Sequence, residues 1–159
     1  MNIAFITSQG GHSGQIKLIF TNEVIRNNNA IMITERPGVK NIVKKNAFNG
    51  KYPVYLFEKD ILLKLNPINY FITLQRLMKI FRKEKIDLII TNGAQISIPA
   101  VIGAKLLGIK SLFIDTVIRV KTPNWSARAC YPLADIFLVQ HPGMIKKYGK
   151  KAKYYGGII

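Results

Sequence analysis

Residues 2–20 read NIAFITSQGGHSGQIKLIF. The apolar run Ile3 to Ile6 is short and continuous, so it reads as a strand buried on both faces. Ser8, Gln9, Gly10, Gly11, His12, Ser13 and Gly14 follow. From Gln15 onward Ile16, Ile19, Phe20, Val24 and Ile25 recur at helical spacing, which predicts a helix over 15–28. Glycines let a backbone approach a ligand closely, and a helix start offers unpaired N–H groups with partial positive charge. The turn between strand and helix is therefore a candidate anion site, with Ser8, Gly10, Gly11, Ser13 and Gly14 as its contacts. His12 reads either as a polar cap or as a ligand-facing group, and the glycines on both sides favour the second. The positive helix end disfavours imidazolium, so a neutral ring able to give or take a proton is expected.

Working outward, further apolar strands are read at 30–34 (AIMIT), 53–58 (PVYLFE), 87–91 (DLIIT), 110–115 (KSLFID) and 135–140 (DIFLVQ). Helices are read over 67–85, over 96–108 with Gly108 as its stop, and briefly through Met144 to Tyr148. Between them, 35–52 is polar, basic and irregular, and reads as a loop or flap. Apolar strands alternating with helices give an α/β fold: a Rossmann-like parallel sheet with helices on both faces, as one domain spanning 1–159. Such sheets bind ligands at the carboxyl ends of their strands. Thr91, Asn92 and Gly93 make a second turn on that side, either a ligand contact or a helix cap. Asp115, with Thr116 and Arg119 behind it, is either a group that orients a sugar hydroxyl and a phosphate or an ordinary surface ion pair. Spacing alone leaves both open.

Other chemistries find little support. The dinucleotide fingerprint is incomplete, because Ser8 stands where its first glycine belongs, although Glu35 could serve as the ribose acid. The Walker lysine motif, the serine-hydrolase elbow and metal-ligand spacings are absent. His141, in QHPG, reads as a turn residue. Cys130 is the single cysteine, so no internal disulfide forms, and a reducing compartment suits it. No signal-peptide pattern and no run of membrane-spanning length is present.

The chain has 159 residues, 48% of them hydrophobic, which suffices for a packed core. It carries 24 Lys and Arg against 8 Asp and Glu, a formal net charge of +16. That excess suits a nucleic acid, an anionic membrane surface or a phosphorylated substrate, or it is simply solvated lysine.

Together GGHSGQ (10–15), TNGAQISIPAVIGAKLLGIKSLFID (91–115), RVKT (119–122), YPLADIFLVQ (131–140) and AKYYGGII (152–159) resemble the oligosaccharide-biosynthesis accessory subunit family over nearly the full length. That family includes the membrane-recruiting subunit of the dolichol-linked UDP-GlcNAc transferase. It also includes enhancer subunits of bacterial capsular and exopolysaccharide β-1,4-galactosyltransferases. The resemblance implies the N-terminal half of a GT-B glycosyltransferase, akin to the acceptor domain of the lipid II synthase. It implies an acceptor-binding, membrane-docking subunit of a two-chain inverting enzyme, inactive without a separate donor-binding chain and needing no cofactor of its own. The partners implied are that catalytic chain, a lipid-diphosphate-linked sugar acceptor and an anionic membrane, with peripheral placement on the cytoplasmic face. The glycine-rich turn would face the acceptor diphosphate, with His12 as base or diphosphate contact, and Asn92, Gly93, Asp115 and Arg119 would complete the cleft. The family usually has glutamate where this chain has Asp115, and eukaryotic members carry an N-terminal membrane helix that this sequence lacks.

Membrane contact is expected from 61–85, where Leu62, Leu63, Leu65, Phe71 and Phe81 mix with Lys64, Arg76, Lys79, Arg82 and Lys83. Most of the helix stripe reads as core, so 61–66 is the better membrane segment. Two rivals from other classes remain. A nucleic-acid module requires basic residues interleaved with exposed aromatics and steep salt dependence, and no such interleaving is seen. A nucleotide-cofactor enzyme requires cofactor binding by the isolated chain.

Overall fold

The computed structural model describes residues 1–8, 11–19, 27–36, 43–47, 52–58 and 66–157. Its strands are β1 (Asn2–Thr7), β2 (Asn29–Arg36), β3 (Val43–Ala47), β4 (Tyr52–Glu58), β5 (Leu88–Thr91), β6 (Lys110–Ile114), β7 (Ile136–Leu138) and β8 (Ala152–Lys153). Its helices are α1 (Gly11–Ile19), α2 (Pro67–Lys83), α3 (Ser97–Leu106), α4 (Trp125–Cys130) and α5 (Ile145–Tyr148), with a 3-10 turn at Pro142–Met144. The strands form one sheet in the order β3-β4-β2-β1-β5-β6-β7-β8. All pairings are parallel except that of the edge strand β3 with β4.

The period of two in β1 divides the core between two faces. Ala4 and Ile6 join Leu77, Ile80 and Phe81 of α2, Ala100, Val101 and Ala104 of α3, and Ala127 and Cys130 of α4. Ile3 and Phe5 point the other way and pack with Ile16 of α1. Pro67 and the Asn66 side chain, which accepts from the Ile68 amide at 2.9 Å, start α2. Gly103 lets α2 and α3 meet, since a Cβ there would lie 3.1 Å from Leu74 and 3.2 Å from Met78.

Several boundaries differ from the sequence reading. The helix expected from Gln15 begins at Gly11, so His12 and Gly14 sit on its first turns and not in a loop. Glycine is a poor helix former in mid-helix, but the first turn has few intrahelical bonds to lose. The stretch read as irregular holds the strand β3, whose lysines mark a sheet edge. The helix α4 and the two-residue strand β8 were not anticipated, being too short to show a period. The readings placed on Gln9, Gly10, Phe20, Val24, Ile25 and residues 61–65 lie outside the described residues.

Candidate functional site

Starting from β1, the chain runs to β2 on one side, and β5 flanks β1 on the other. The connections leaving β1 and β5 diverge, α1 to one face and α3 to the opposite face. This is a topological switch point, where the carboxyl ends of a parallel sheet open into a crevice. His12 follows β1 and Asn92 follows β5, so the two turns singled out in the sequence are brought together there.

The register explains how they meet. Ile6 pairs with Thr91, so the next residues, Thr7 and Asn92, face each other beyond the last ladder bond. Thr7 Oγ1 donates to Asn92 Oδ1 at 3.1 Å and lies 3.3 Å from the Ser8 carbonyl. Asn92 Nδ2 donates to the His12 carbonyl at 2.6 Å and reaches Gln15 Oε1 at 3.4 Å. The Asn92 carbonyl in turn stands 3.0 Å from His12 Nδ1. A carbonyl only accepts, so Nδ1 carries the proton of the neutral ring and Nε2 keeps its lone pair. Among the described residues no hydrogen-bond partner meets Nε2. Asn92 is 0% exposed, and it clamps His12 through both backbone and ring.

Burial lowers the His12 pKa below its ordinary value, and the bond to the Asn92 carbonyl partly opposes this. The neutral ring expected from the sequence is thus obtained mainly by desolvation. The unfolded chain binds the extra proton near pH 6.5, so stability rises with pH through the ordinary histidine range and is lost as pH falls below it. His12→Gln is expected to flatten that slope in urea unfolding followed from pH 7.5 to 5. An unchanged slope would place the titration elsewhere.

Gly93 holds the second turn at φ +105°, and a Cβ there would lie 3.3 Å from His12 Cε1. Ala94 is also left-handed at φ +66°. Ser97 fastens the turn, donating to the Gly93 carbonyl and accepting from Thr91 Oγ1 at 2.6 Å. Gly93→Ala is expected to cost about 1–3 kcal/mol of stability from backbone strain. It also pushes the His12 ring out of place, visible as a shift of the His12 ring resonances.

Asp115 continues β6 on the same edge. It is 2% exposed, which decides against the surface ion pair. Its Oδ1 accepts from the Thr116 amide at 2.9 Å, and its carbonyl accepts from Gln15 Nε2 at 3.1 Å. Gln15 therefore ties the acid to the His12–Asn92 clamp. Burial raises the Asp115 pKa, while the Thr116 amide, Tyr148, Arg119 and His141 each act to lower it. Arg119 is exposed on the loop beyond. His141 is more than a turn residue, since its Nε2 donates to the Val117 carbonyl at 2.7 Å and pins that loop. Sequence reasoning missed Thr7 and Gln15. Their signal was a polar residue closing a buried strand and another beside the core residue Ile16. Ser8 is buried next to the clamp; Gly11 and Gly14 lie on α1, as does the backbone of Ser13.

A profile of the family described as "Oligosaccharide biosynthesis protein Alg14 like" matches residues 63–158, more than half of the sequence. The chain belongs to this Alg14-like family. It is 31% identical over 102 residues to the human "UDP-N-acetylglucosamine transferase subunit ALG14", covering 58% of this chain and 47% of that protein. It is 25% identical to the subunit of that name from Debaryomyces hansenii, over 99% of this chain and 76% of the relative. Among solved structures it superposes on Acinetobacter baumannii MurG with a TM-score of 0.75 at 14% identity, covering 99% of this chain and 45% of MurG. The chain thus spans less than half the length of the mammalian relatives and of MurG that it matches. The fold, a Rossmann-like parallel sheet, resembles the matched half of MurG, as the resemblance implied.

Proposed function

We propose that this Alg14-like chain is the acceptor-binding half of a two-chain inverting glycosyltransferase that moves a sugar from a UDP-sugar to a lipid-diphosphate-linked saccharide. The observation that carries the reading is His12 itself. It is a neutral imidazole, Nδ1–H fixed on the Asn92 carbonyl and Nε2 open, on the first turn of α1 at the switch point. A diphosphate at that helix start meets unpaired N–H groups and partial positive charge. Nε2 then stands ready to take the proton of an attacking sugar hydroxyl as general base. Asp115 accepts from a second hydroxyl, and Arg119 offers a guanidinium to phosphate.

The relatives are named as transferase subunits, which supports a donor half on a separate chain, because transfer requires two reactants held together. The test is reconstitution. A glycosyltransferase-like chain captured with this one from detergent-solubilised cells is assayed with UDP-GlcNAc and UDP-galactose on a polyprenyl-diphosphate saccharide. Transfer by the pair and by neither chain alone is expected. Transfer by this chain alone, or none by any captured pair, would reject the reading.

Membrane docking, peripheral and on the cytoplasmic face, belongs to the same proposal. No helix among the described residues is long and apolar enough to cross a membrane. At the start of α2, however, Ile68, Phe71 and Ile72 are exposed, Phe71 at 60%. Farther along, Gln75, Arg76, Lys79 and Arg82 line an open cavity of about 410 Å³. Phe81, by contrast, is core and unavailable to lipid. Each cation near an anionic leaflet contributes about 1 kcal/mol. Sedimentation with phosphatidylglycerol vesicles at low salt is expected, and Arg76→Glu together with Lys79→Glu should abolish it. Equal sedimentation of that variant would move the docking surface elsewhere.

A further inference from the structure

The C-terminal stretch places one more side chain on the acid of the site. Tyr148, on α5, has its ring held on two sides. Phe137 of β7 lies at a centroid distance of 4.8 Å and Tyr131 at 5.8 Å, the latter stacked. A ring packed in this way has little freedom, so its hydroxyl is fixed in space. That hydroxyl is buried and makes no formed hydrogen bond. Asp115 Oδ2 is also buried and also without one, while Oδ1 is occupied by the Thr116 amide. Two unsatisfied buried polar atoms, one a donor and one an acceptor, are costly apart and complementary together. Phe113 stacks on Phe137 at 4.9 Å, and Asp115, two residues beyond Phe113, falls on that same face of the sheet, so the acid and the Tyr148 ring that lies on Phe137 share one buried face, where each bears on the other's ionisation.

We infer that Tyr148 is the positioning residue for Asp115: its clamped phenol hydroxyl is the partner of Oδ2, and a small rotation of the carboxyl closes the bond. The purpose assigned to Asp115, accepting from a sugar hydroxyl, rests on the acceptor-binding reading above. The pairing itself does not. It joins the last helix of the fold to the candidate site from 33 residues away, which explains why no local pattern announced it.

Among the described residues, the charged and titratable groups bearing on the pair come from the elements packed around it. Arg119 from the loop after β6 and His141 from the turn after β7 favour the carboxylate. Arg128 from α4 and the Asn124 backbone favour the phenolate. Burial works against both charged forms, raising the Asp115 pKa and raising that of Tyr148 further above an ordinary phenol, where the Asp115 charge adds to the effect. Against that background the phenol is a donor at all working pH, and its loss removes one of the contacts that keep Asp115 ionised.

The experiment is a carboxyl-carbon NMR titration of Asp115 in the full chain and in Tyr148→Phe, which removes a single oxygen from a packed ring. An upward shift of the Asp115 midpoint in the variant is expected, and an unchanged midpoint overturns the inference. The reverse measurement guards against a variant that folds poorly. In Asp115→Asn, the Tyr148 ring-carbon resonance beside the hydroxyl should shift at pH 7 from its place in the parent chain; no change there is equally fatal. A purely structural tyrosine lowers stability without moving either signal. Addition of a soluble GlcNAc-diphosphate to the parent chain separates the two claims. Perturbation at Asp115 supports its role toward a sugar; silence there counts against the acceptor reading while the titrations still decide the pairing.

Discussion

Asn92→Asp is expected to cost the chain about 3–5 kcal/mol, the usual penalty of a buried charge left without a partner. The side chain is 0% exposed, and its amide group donates to the His12 carbonyl at 2.6 Å and toward Gln15 Oε1 at 3.4 Å. A carboxylate at that place sets oxygen against oxygen on both contacts, leaving only the Thr7 hydroxyl to favour it. Domains of this size are stable by about 5–15 kcal/mol, so the loss is a large fraction of the whole. The sign with pH is specific. The introduced carboxyl is protonated more readily in the folded state than in the unfolded chain, so the variant's deficit is largest at pH 7 and shrinks as pH falls through the carboxyl range. Urea unfolding at pH 7 and pH 4 checks both statements. Asn92→Ala also leaves buried partners unpaired, at about 1–3 kcal/mol each, but without the introduced carboxyl's dependence on pH. A variant within 1 kcal/mol of the parent at pH 7 would show that the clamp does not hold the edge.

That clamp also shows where sequence reading stops. The strand at 2–7, the glycine-rich passage from it into a helix and the turn after β5 were legible, because each is written in a local run of residue types, although the helix starts at Gly11 and not at Gln15. So was the fold class, since strands apolar on both faces demand helices on both sides. The edge strand β3 was not legible: Lys44 and Lys45 in a basic stretch look like loop, and edge strands are charged for reasons unrelated to local propensity. The joining of His12 to Asn92 was not legible either. Two turns on one edge were foreseen, but their reciprocal bonds depend on a register between strands some 80 residues apart. Asp115 was open between two readings until its burial was known. Tyr148 had no signal at all beyond closing a short helix. Local chemistry thus named most of the candidate atoms, and tertiary register decided what each is bonded to.

The same register makes the consequence of losing His12 specific. His12→Gln is expected to leave stability within about 1 kcal/mol of the parent, because a glutamine amide can still donate to the Asn92 carbonyl and the His12 backbone carbonyl still receives Asn92 Nδ2. Turnover of the two-chain enzyme should nevertheless fall by about 10²–10⁴, the ordinary contribution of a positioned general base. The loss should appear in kcat with little change in KM for the lipid-linked acceptor, since a base acts in the transition state and not on binding. A residue that only touches the diphosphate gives the opposite pattern, a raised KM with kcat nearly intact. The pH profile separates the two again. In the parent, activity should fall on the acid side at a pH below the ordinary histidine value, because burial lowers the pKa and the base must be unprotonated. In His12→Gln that limb disappears and the residual rate no longer follows it. His12→Ala adds a cavity beside Gly93, whose missing Cβ leaves the ring 3.3 Å from that position, so it is the less clean variant and Gln the informative one. Near-normal turnover by His12→Gln would remove the imidazole from proton transfer and leave α1 with an anion-binding role alone.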